Sequence, residues 1–355
     1  MTATAFELAT TPTVERFAGP EGAAEWDACV ERAAGWTHFH RWGWKAVIEQ
    51  VFGHECIYLA ARDDAGHVIG VLPLVHARSR LFGDYLVSMP FLNYGGPLGS
   101  EPAVHALVEH AAGVARDLGV DLLELRNRDR LPLEMPVSQR KITCVLDLES
   151  GNAEAAWEAL SSNVRRKVRH AQKEGFSVAF GLEQRDAFYK VFSRHMRDLG
   201  TPTLPRRLFE KLVAQFPEDI WIGCVYAGNQ PVAAGFGFQW GHPGELELTW
   251  VSALQDYHRS YANMLLYWAF IERAANQGLC LFNFGRCTPG GGTHRFKQQW
   301  GSRDVPLMWY QPVAGRRVAT PSPHERAFAW GPAVWKRLPL AVANRLGPPI
   351  VRLIP

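Results

Sequence analysis

The chain has 355 residues, 47% of them hydrophobic, and its 38 basic against 35 acidic side chains leave a formal net charge of +3. That length and apolar content suit two domains with a core each, while the near balance of charge argues neither for nor against nucleic acid and leaves that question to local patches. Cys29, Cys56, Cys144, Cys224, Cys280 and Cys287 form no CxxC pair and have no His at ligand spacing, so free thiols and no metal are expected.

The first residues, Met1 to Leu8, lack the basic start and apolar run of a secretory leader, and no stretch nears the roughly 18 apolar residues of a membrane span. A cytoplasmic chain is expected. Apolar spacing predicts short helices at 26–34 and 42–52, the second with Trp44, Val47, Ile48 and Val51 on one face. A hairpin follows, with strands at 56–61 and 68–75 about the turn Asp63-Asp64-Ala65-Gly66. Next come a strand at 85–88, the loop Asn93-Tyr94-Gly95-Gly96-Pro97-Leu98-Gly99, a helix at 105–118 and a strand at 122–125. The segment 141–148 reads as one more strand of the first half, and 149–152 as the boundary between domains 1–150 and 151–315.

The second half opens with helices at 153–160 and 163–174, the latter closed by Gly175 as a left-handed cap. A strand at 176–180, helices at 186–199 and 205–216, and a hairpin at 220–226 and 232–240 follow, the hairpin turning at Gly228-Asn229. A strand at 246–251, a helix at 263–275 and a strand at 279–284 complete the half. That helix is apolar almost all round, so it should be buried. In the tail, 316–355, Phe328, Trp330, Val334, Trp335, Leu338, Leu340 and Ile350 alternate with Arg326, Lys336, Arg337, Arg345 and Arg352, and prolines at 332, 339, 348 and 349 should break any long helix. Such a tail suits either a membrane surface or docking on the body.

Residues 57–126 and 221–286 repeat one order of elements: strand, tight turn, strand, strand, loop, helix, Gly, strand. Gly119 before Val120-Asp121-Leu122-Leu123-Glu124-Leu125 matches Gly278 before Leu279-Cys280-Leu281-Phe282-Asn283-Phe284, and the turn glycine Gly66 matches Gly228 at nearly the same spacing. This predicts a duplicated domain with a cleft between the copies. Hairpin, strand, loop, helix, strand is the core order of the GNAT acyltransferase fold, and two copies resemble the FemAB and FemX peptidyltransferases. The expected fold is therefore α/β, two tandem GNAT-like domains with mixed sheets. Ser161-Ser162-Asn163-Val164-Arg165-Arg166-Lys167-Val168-Arg169-His170-Ala171-Gln172-Lys173-Glu174-Gly175 resembles the basic helix of that group. Phe282-Asn283-Phe284-Gly285-Arg286-Cys287-Thr288-Pro289-Gly290-Gly291-Gly292-Thr293-His294-Arg295-Phe296-Lys297-Gln298-Gln299-Trp300-Gly301 resembles its C-terminal motif. With Leu199-Gly200-Thr201-Pro202, the likeness is greatest to FemAB-related proteins associated with exosortase and PEP-CTERM exopolysaccharide systems.

The basic helix sets Arg165, Arg169 and Lys173 on one face, opposite Val164, Val168 and Ala171. Stacked like charges call for an anion, whether carrier diphosphate, donor phosphate or lipid headgroup. The stretch 256–263 lies between a strand and a helix start, where a GNAT protein holds the pyrophosphate of coenzyme A, so Tyr257, Arg259, Tyr261 and Asn263 are donor-binding candidates. The usual Gln/Arg-x-x-Gly-x-Gly/Ala pattern is missing, since no glycine occurs between Gly244 and Gly278. FemAB-type proteins share that departure, and their donor is an aminoacyl-tRNA. The resemblance thus implies aminoacyl-tRNA or acyl-coenzyme A as donor and no tightly bound cofactor.

Arg286 precedes a loop with three glycines, and Lys297 follows Phe296. A fixed cation can stabilise the oxyanion of acyl transfer. In the FemX family the Lys of a Phe-Lys pair is implicated in that role, which the resemblance carries to Lys297, with Phe296 shaping the pocket. His195 is the imidazole best suited to general base, with Asp198 and Asp256 as carboxylate alternatives, and substrate-assisted proton transfer would need none of them. Tyr94, Gly95 and Gly96 resemble the acceptor-side Gly-Pro loop of the FemX group, without the arginine often seen before it. The aromatic run Trp36, His38, Phe39, His40 and Trp42 reads as core packing.

The expected function is transfer of an acyl or aminoacyl group to an amine or hydroxyl of a cell-envelope glycan, exopolysaccharide or lipid-linked precursor. The expected partners are that donor and acceptor and the cytoplasmic face of the inner membrane, with no DNA. Rival readings are a coenzyme A-dependent N-acyltransferase of a small molecule and a non-catalytic scaffold for polysaccharide export.

Overall fold

The computed structural model describes residues 11–17, 19–79, 82–149, 151–314 and 331–354. The first half runs β1 (Thr13–Arg16), α1 (Ala23–Arg32), α2 (Gly43–Phe52), β2 (Glu55–Arg62), β3 (Val68–Ser79), β4 (Gly83–Ser88), β5 (Leu98–Gly99), α3 (Glu101–Leu118), β6 (Leu122–Asn127), β7 (Val137–Ser138) and β8 (Ile142–Asp147). The second runs α4 (Ala153–Ala159), α5 (Ser162–Lys173), β9 (Ser177–Phe180), α6 (Arg185–Leu199), α7 (Arg206–Gln215), β10 (Ile220–Ala227), β11 (Gln230–Trp240), β12 (Glu245–Ala253), α8 (Ala262–Asn276), β13 (Leu281–Cys287), α9 (Gly292–Gln298), β14 (Arg303–Pro306) and β15 (Met308–Ala314). Two tail helices follow, α10 (Gly331–Trp335) and α11 (Leu340–Val351).

The matched glycines mark equivalent joints. Gly119 (φ 67°) ends α3 and Gly278 (φ 82°) follows α8, while Gly66 (φ 85°) and Gly228 (φ 56°) turn the two hairpins. All four lie in the left-handed region that glycine enters without a Cβ clash. As its all-round apolarity predicts, α8 is buried along most of its length.

One sheet has the order β1-β2-β3-β4-β6-β15-β7, with β5 on β3, and the other β9-β10-β11-β12-β13-β8-β14. Position for position these are the same sheet: antiparallel hairpins β2–β3 and β10–β11, a third antiparallel strand, then a parallel partner reached through α3 or α8. The outer edges of β6 and β13 are covered crosswise. The strand expected to end the first domain, β8, pairs instead with β13 and β14 of the second sheet, and β15 returns to pair with β6 and β7. An open edge on β13 would leave backbone N–H and C=O groups unpaired, and the neighbouring strand that satisfies them need not come from the same half. The boundary at 149–152 is therefore not the boundary between the sheets.

The expected open cleft is also corrected. Aromatic side chains of both halves fill much of the space between the sheets: His38 stacks on Phe238 at 4.5 Å, Phe39 lies 5.6 Å from Tyr94 and 5.8 Å from Phe238, and Trp44 lies 5.7 Å from Phe216. The 36–42 run is core, as expected, with His38, Phe39 and His40 all buried. Trp44→Ala should lower stability by about 3–5 kcal/mol. Because the core is shared, calorimetry should show the variant melting at lower temperature in one transition; separate melting of the halves would contradict the shared core.

The described part of the tail docks on the body. Arg197 donates to the Leu338 carbonyl at 3.0 Å, Asn344 to Ser193 Oγ at 3.4 Å, and His54 Nε2 lies 2.7 Å from the Arg352 carbonyl. Pro332 and Pro339 stand at helix starts, but Pro348 and Pro349 lie inside α11. Falling near its end, they remove only late amides of the helix ladder. Val334, Val342 and Leu346 stay exposed beside basic side chains. Residues Arg326, Phe328 and Trp330, like the first ten residues of the chain, lie outside the described residues. No described helix is long and apolar enough to cross a membrane.

Candidate active site

β12 and β13 pair in parallel only at Glu245–Leu281, Leu246–Phe282 and Glu247–Asn283, and diverge beyond. A register slip on the other side of β12 leaves Thr249 unpaired between Leu248 and Trp250, a bulge that bends the strand away. Gly285 (φ 73°) keeps β13 close: a Cβ there would lie 2.9 Å from the Leu248 carbonyl oxygen. Sequence and sheet thus build a fork whose base is Glu247.

Glu247 is fully buried. Its carboxylate accepts from Asn93 Nδ2 at 2.5 Å, Thr249 Oγ1 at 3.2 Å, Asn283 Nδ2 at 3.3 Å and the Tyr94 hydroxyl. Asn283 also donates to Tyr94 Oη at 2.9 Å and Glu245 at 2.8 Å, while its own oxygen accepts from Thr143 at 2.6 Å and the Gly285 amide at 2.8 Å. Arg128 of the first half closes the network on Glu245 at 2.6 Å. Burial pushes the Glu247 carboxyl up to about 7, with Glu245 adding to the rise and the Tyr94 and Asn93 hydrogen bonds opposing it. A carboxyl that ionises near neutrality is suited to take a proton.

Two predicted cations stand beyond Asn283, Arg286 on β13 and Lys297 on α9. The Arg286 guanidinium lies 5.4 Å over the ring of Trp309 from β15, which Arg126 also faces at 4.6 Å, and Arg126 is paired with Glu124 at 2.9 Å. Burial, then Arg126, lowers Arg286 to about 10, with Glu124 and Glu247 opposing. It stays protonated at neutral pH. Lys297 is only 3% exposed, and its ammonium donates to the carbonyls of Gly285 at 2.6 Å and Arg286 at 3.1 Å. Burial lowers its pKa first of all. Lys297 therefore fastens α9 to the strand that carries Arg286. Phe296 packs against Tyr267 at 5.1 Å.

The donor-side candidates form a second group. Asp256, largely exposed, pairs with Arg194 at 2.7 Å. His195 hydrogen-bonds the main chain of Ala253, and burial, then His258, lowers its pKa; its Nδ1 has no protein partner. Tyr261 takes φ 58° at the start of α8, the left-handed conformation held here without glycine, and meets His170 of α5 at 5.4 Å. Tyr257 faces Phe176 at 6.1 Å, Arg259 is exposed and Asn263 half-buried. Arg165 and Arg169 line a groove of about 490 Å³ with Ser162, Arg166, His170 and Lys173. The apolar stripe opposite, Val164, Val168 and Ala171, is fully buried.

The structure therefore joins the basic helix to the 256–263 loop, and separately joins Tyr94 to Glu247. His195 and Asp256 stand at the far end of β12, about 20 Å along the strand from Glu247. Tyr94 and Gly95 line a cavity of about 260 Å³ with Thr37, His40, Asn127 and Arg128, and the Gly96 carbonyl lies 3.1 Å from His40 Nε2. Sequence reasoning passes over Glu247. Its signal is the alternation Glu245-Leu246-Glu247-Leu248 in a strand with strands on both sides, which puts two carboxylates on one covered face.

Two copies of a hairpin, a third strand and a forked parallel partner define a protein of two tandem GNAT-like domains. Residues 159–298 match a family model described as an acetyltransferase (GNAT) domain. Among solved structures the chain is similar to FemX, at TM-score 0.62 and 12% identity over 84% of this chain and 97% of that one. It is also similar to the C-terminal domain of a candidate lysylphosphatidylglycerol synthetase from Agrobacterium fabrum, at TM-score 0.56 and 12% identity over 82% and 92%. A tandem GNAT protein from the clavulanic acid biosynthesis pathway follows, at TM-score 0.51 and 12% identity over 85% and 99%. No curated protein matches the sequence.

Proposed function

We propose that the chain is an acyl- or aminoacyltransferase that uses the fork of the second domain. The observation that carries this reading is a buried carboxyl, Glu247, raised to about 7 and held at the fork by Tyr94 and Asn93 of the first half. In this reading Glu247 takes the proton of the attacking amine or hydroxyl, and Arg286 stabilises the oxyanion that forms on the donor carbonyl. Lys297 holds Arg286 in place and leaves one N–H beyond its two carbonyl partners for the same oxyanion. The proton then leaves with the departing thiol or hydroxyl of the donor.

Donor phosphates fit the groove of Arg165 and Arg169 and the start of α8, where Tyr257, Arg259, Tyr261 and Asn263 stand. His195 and Asp256 belong to that donor side. The acceptor enters by Tyr94, Gly95 and Gly96. The FemX-like fold and the basic-helix and C-terminal motifs favour an envelope glycan, an exopolysaccharide of the PEP-CTERM kind or a lipid-linked precursor as acceptor, modified at the cytoplasmic face of the inner membrane. Either acyl-coenzyme A or aminoacyl-tRNA serves as donor in this scheme, and calorimetry divides the two: micromolar binding of coenzyme A selects the first. Mass spectrometry of envelope polymers from a strain lacking the protein should show a missing acyl or aminoacyl substituent. An unchanged polymer would remove the glycan acceptor from the proposal.

A further inference from the structure

Behind the strand that carries Arg286, four segments converge and each offers one metal-ligating side chain: Cys144 of β8, Cys287 of β13, His294 of α9 and Asp304 of β14. The two sulfurs are 3.6 Å apart, and Cys144 Sγ lies 3.6 Å from Asp304 Oδ1. His294 Nε2 lies 2.8 and 3.0 Å from the two Asp304 oxygens. Zinc bonds of about 2.3 Å to sulfur and about 2.1 Å to nitrogen or oxygen imply tetrahedral edges of about 3.8 Å between sulfurs, about 3.6 Å from sulfur to oxygen and about 3.4 Å from nitrogen to oxygen. The Cys144–Cys287 and Cys144–Asp304 edges agree with those values, and the ligand atoms of Cys144, His294 and Asp304 all lie within 4.8 Å of one another, while Cys287 meets the group through Cys144. The nitrogen–oxygen edge is shorter, as a shared proton would make it.

We propose that Cys144, His294 and Asp304 bind a divalent transition metal of zinc type, and that the Cys287 sulfur swings in from beside Cys144 to complete a tetrahedral site. Two sulfurs and an imidazole favour zinc or cobalt over magnesium or calcium. Cys144, Cys287 and His294 are buried while Asp304 is 37% exposed, so an ion enters from the Asp304 side. Two thiolates and one carboxylate around a dication leave one negative charge, which lies in the field of the Lys297 ammonium. The Gly290 amide donates to His294 Nδ1 at 3.0 Å, so without an ion the imidazole proton sits on Nε2, toward Asp304. Metal at Nε2 moves that proton to Nδ1 and turns the Gly290 amide away. The surroundings allow this, since nothing stands within 4 Å of a Cβ at Gly290 or Gly292. The bound ion ties together the strand of Arg286, the helix of Lys297 and the strand that crosses from the first half, independently of which acyl group is transferred.

The test is titration of the full chain, reduced and stripped with a chelator, with cobalt(II). About one cobalt per chain should bind, with sulfur-to-cobalt charge-transfer absorption and the intense visible bands of tetrahedral cobalt. Cys287→Ser and His294→Ala should each weaken binding by at least about tenfold, whereas Cys280→Ser, outside the cluster, should match the wild type. Asp304→Asn, at an exposed strand, covers the case in which a buried variant misfolds: it should keep the charge-transfer band and shift the visible ones. A wild-type chain that takes up no cobalt, a spectrum without sulfur charge transfer, or folded ligand variants that bind as the wild type does would each overturn the site.

Discussion

Glu247→Gln is expected to lower turnover by about 10²- to 10⁴-fold, the range for loss of a general base, and at the same time to make the protein more stable above neutral pH. The wild-type rate should rise with pH through about 7, as the buried carboxyl loses its proton, and level off beyond. In the variant that rise should vanish. The stability effect follows from the same shift. A carboxyl whose folded pKa is raised above its unfolded value of about 4.3 contributes stability that is full below the unfolded value and lost as pH rises through the folded one. At about pH 8 glutamine has no charge to bury, so the variant should gain up to about 3 kcal/mol. Its amide oxygen can still accept from Asn93 and Thr249 while its nitrogen donates to Tyr94 Oη, and the hydrogen bonds that Tyr94 and Asn283 donate to the carboxylate are lost, which trims that gain. Rate profiles and thermal melts read the two effects separately. Undiminished activity would exclude Glu247 as the base, and a loss of stability at about pH 8 would show that the ionised carboxylate's hydrogen bonds outweigh its burial.

Arg286→Ala should reduce kcat by about 10²- to 10³-fold, as removal of an oxyanion donor does, with a smaller change in KM. The asymmetry arises because the negative charge that Arg286 meets exists only in the transition state. Stability should change little, since loss of the stacking on Trp309 is offset by relief of repulsion from Arg126. Arg286→Lys should recover part of the rate, because it restores charge without the planar stack. An alanine variant with wild-type kcat and raised KM would make Arg286 a binding residue only.

The duplicated fold is written plainly in the chain. Hairpin strands, glycine joints and amphipathic helices are local features, and the glycines at 66, 119, 228 and 278 stand where matched turns require them. What local pattern cannot show is which edge a strand fills. β8 follows the first unit in sequence, yet it completes the sheet of the second, because pairing depends on which backbone groups remain open after folding. The site follows the same rule. Arg286 stands out just before a loop with three glycines and Tyr94 within a glycine-bearing one, and the basic face of α5 declares itself by spacing. Glu247 does not, because its role depends on Tyr94, 153 positions away. Lys297 is legible as a residue of a motif, but its engagement with two carbonyls belongs to tertiary structure. The metal-ligating cluster is hidden for the same reason, being spread from Cys144 to Asp304.

The crosswise exchange of β8 and β15 makes the twin halves inseparable. Severing the polypeptide once near residue 150 would give each fragment two orphan strands and one bare sheet edge, each the complement of what the other lacks. The exchange of strands means that neither half can be removed or replaced as an independent module.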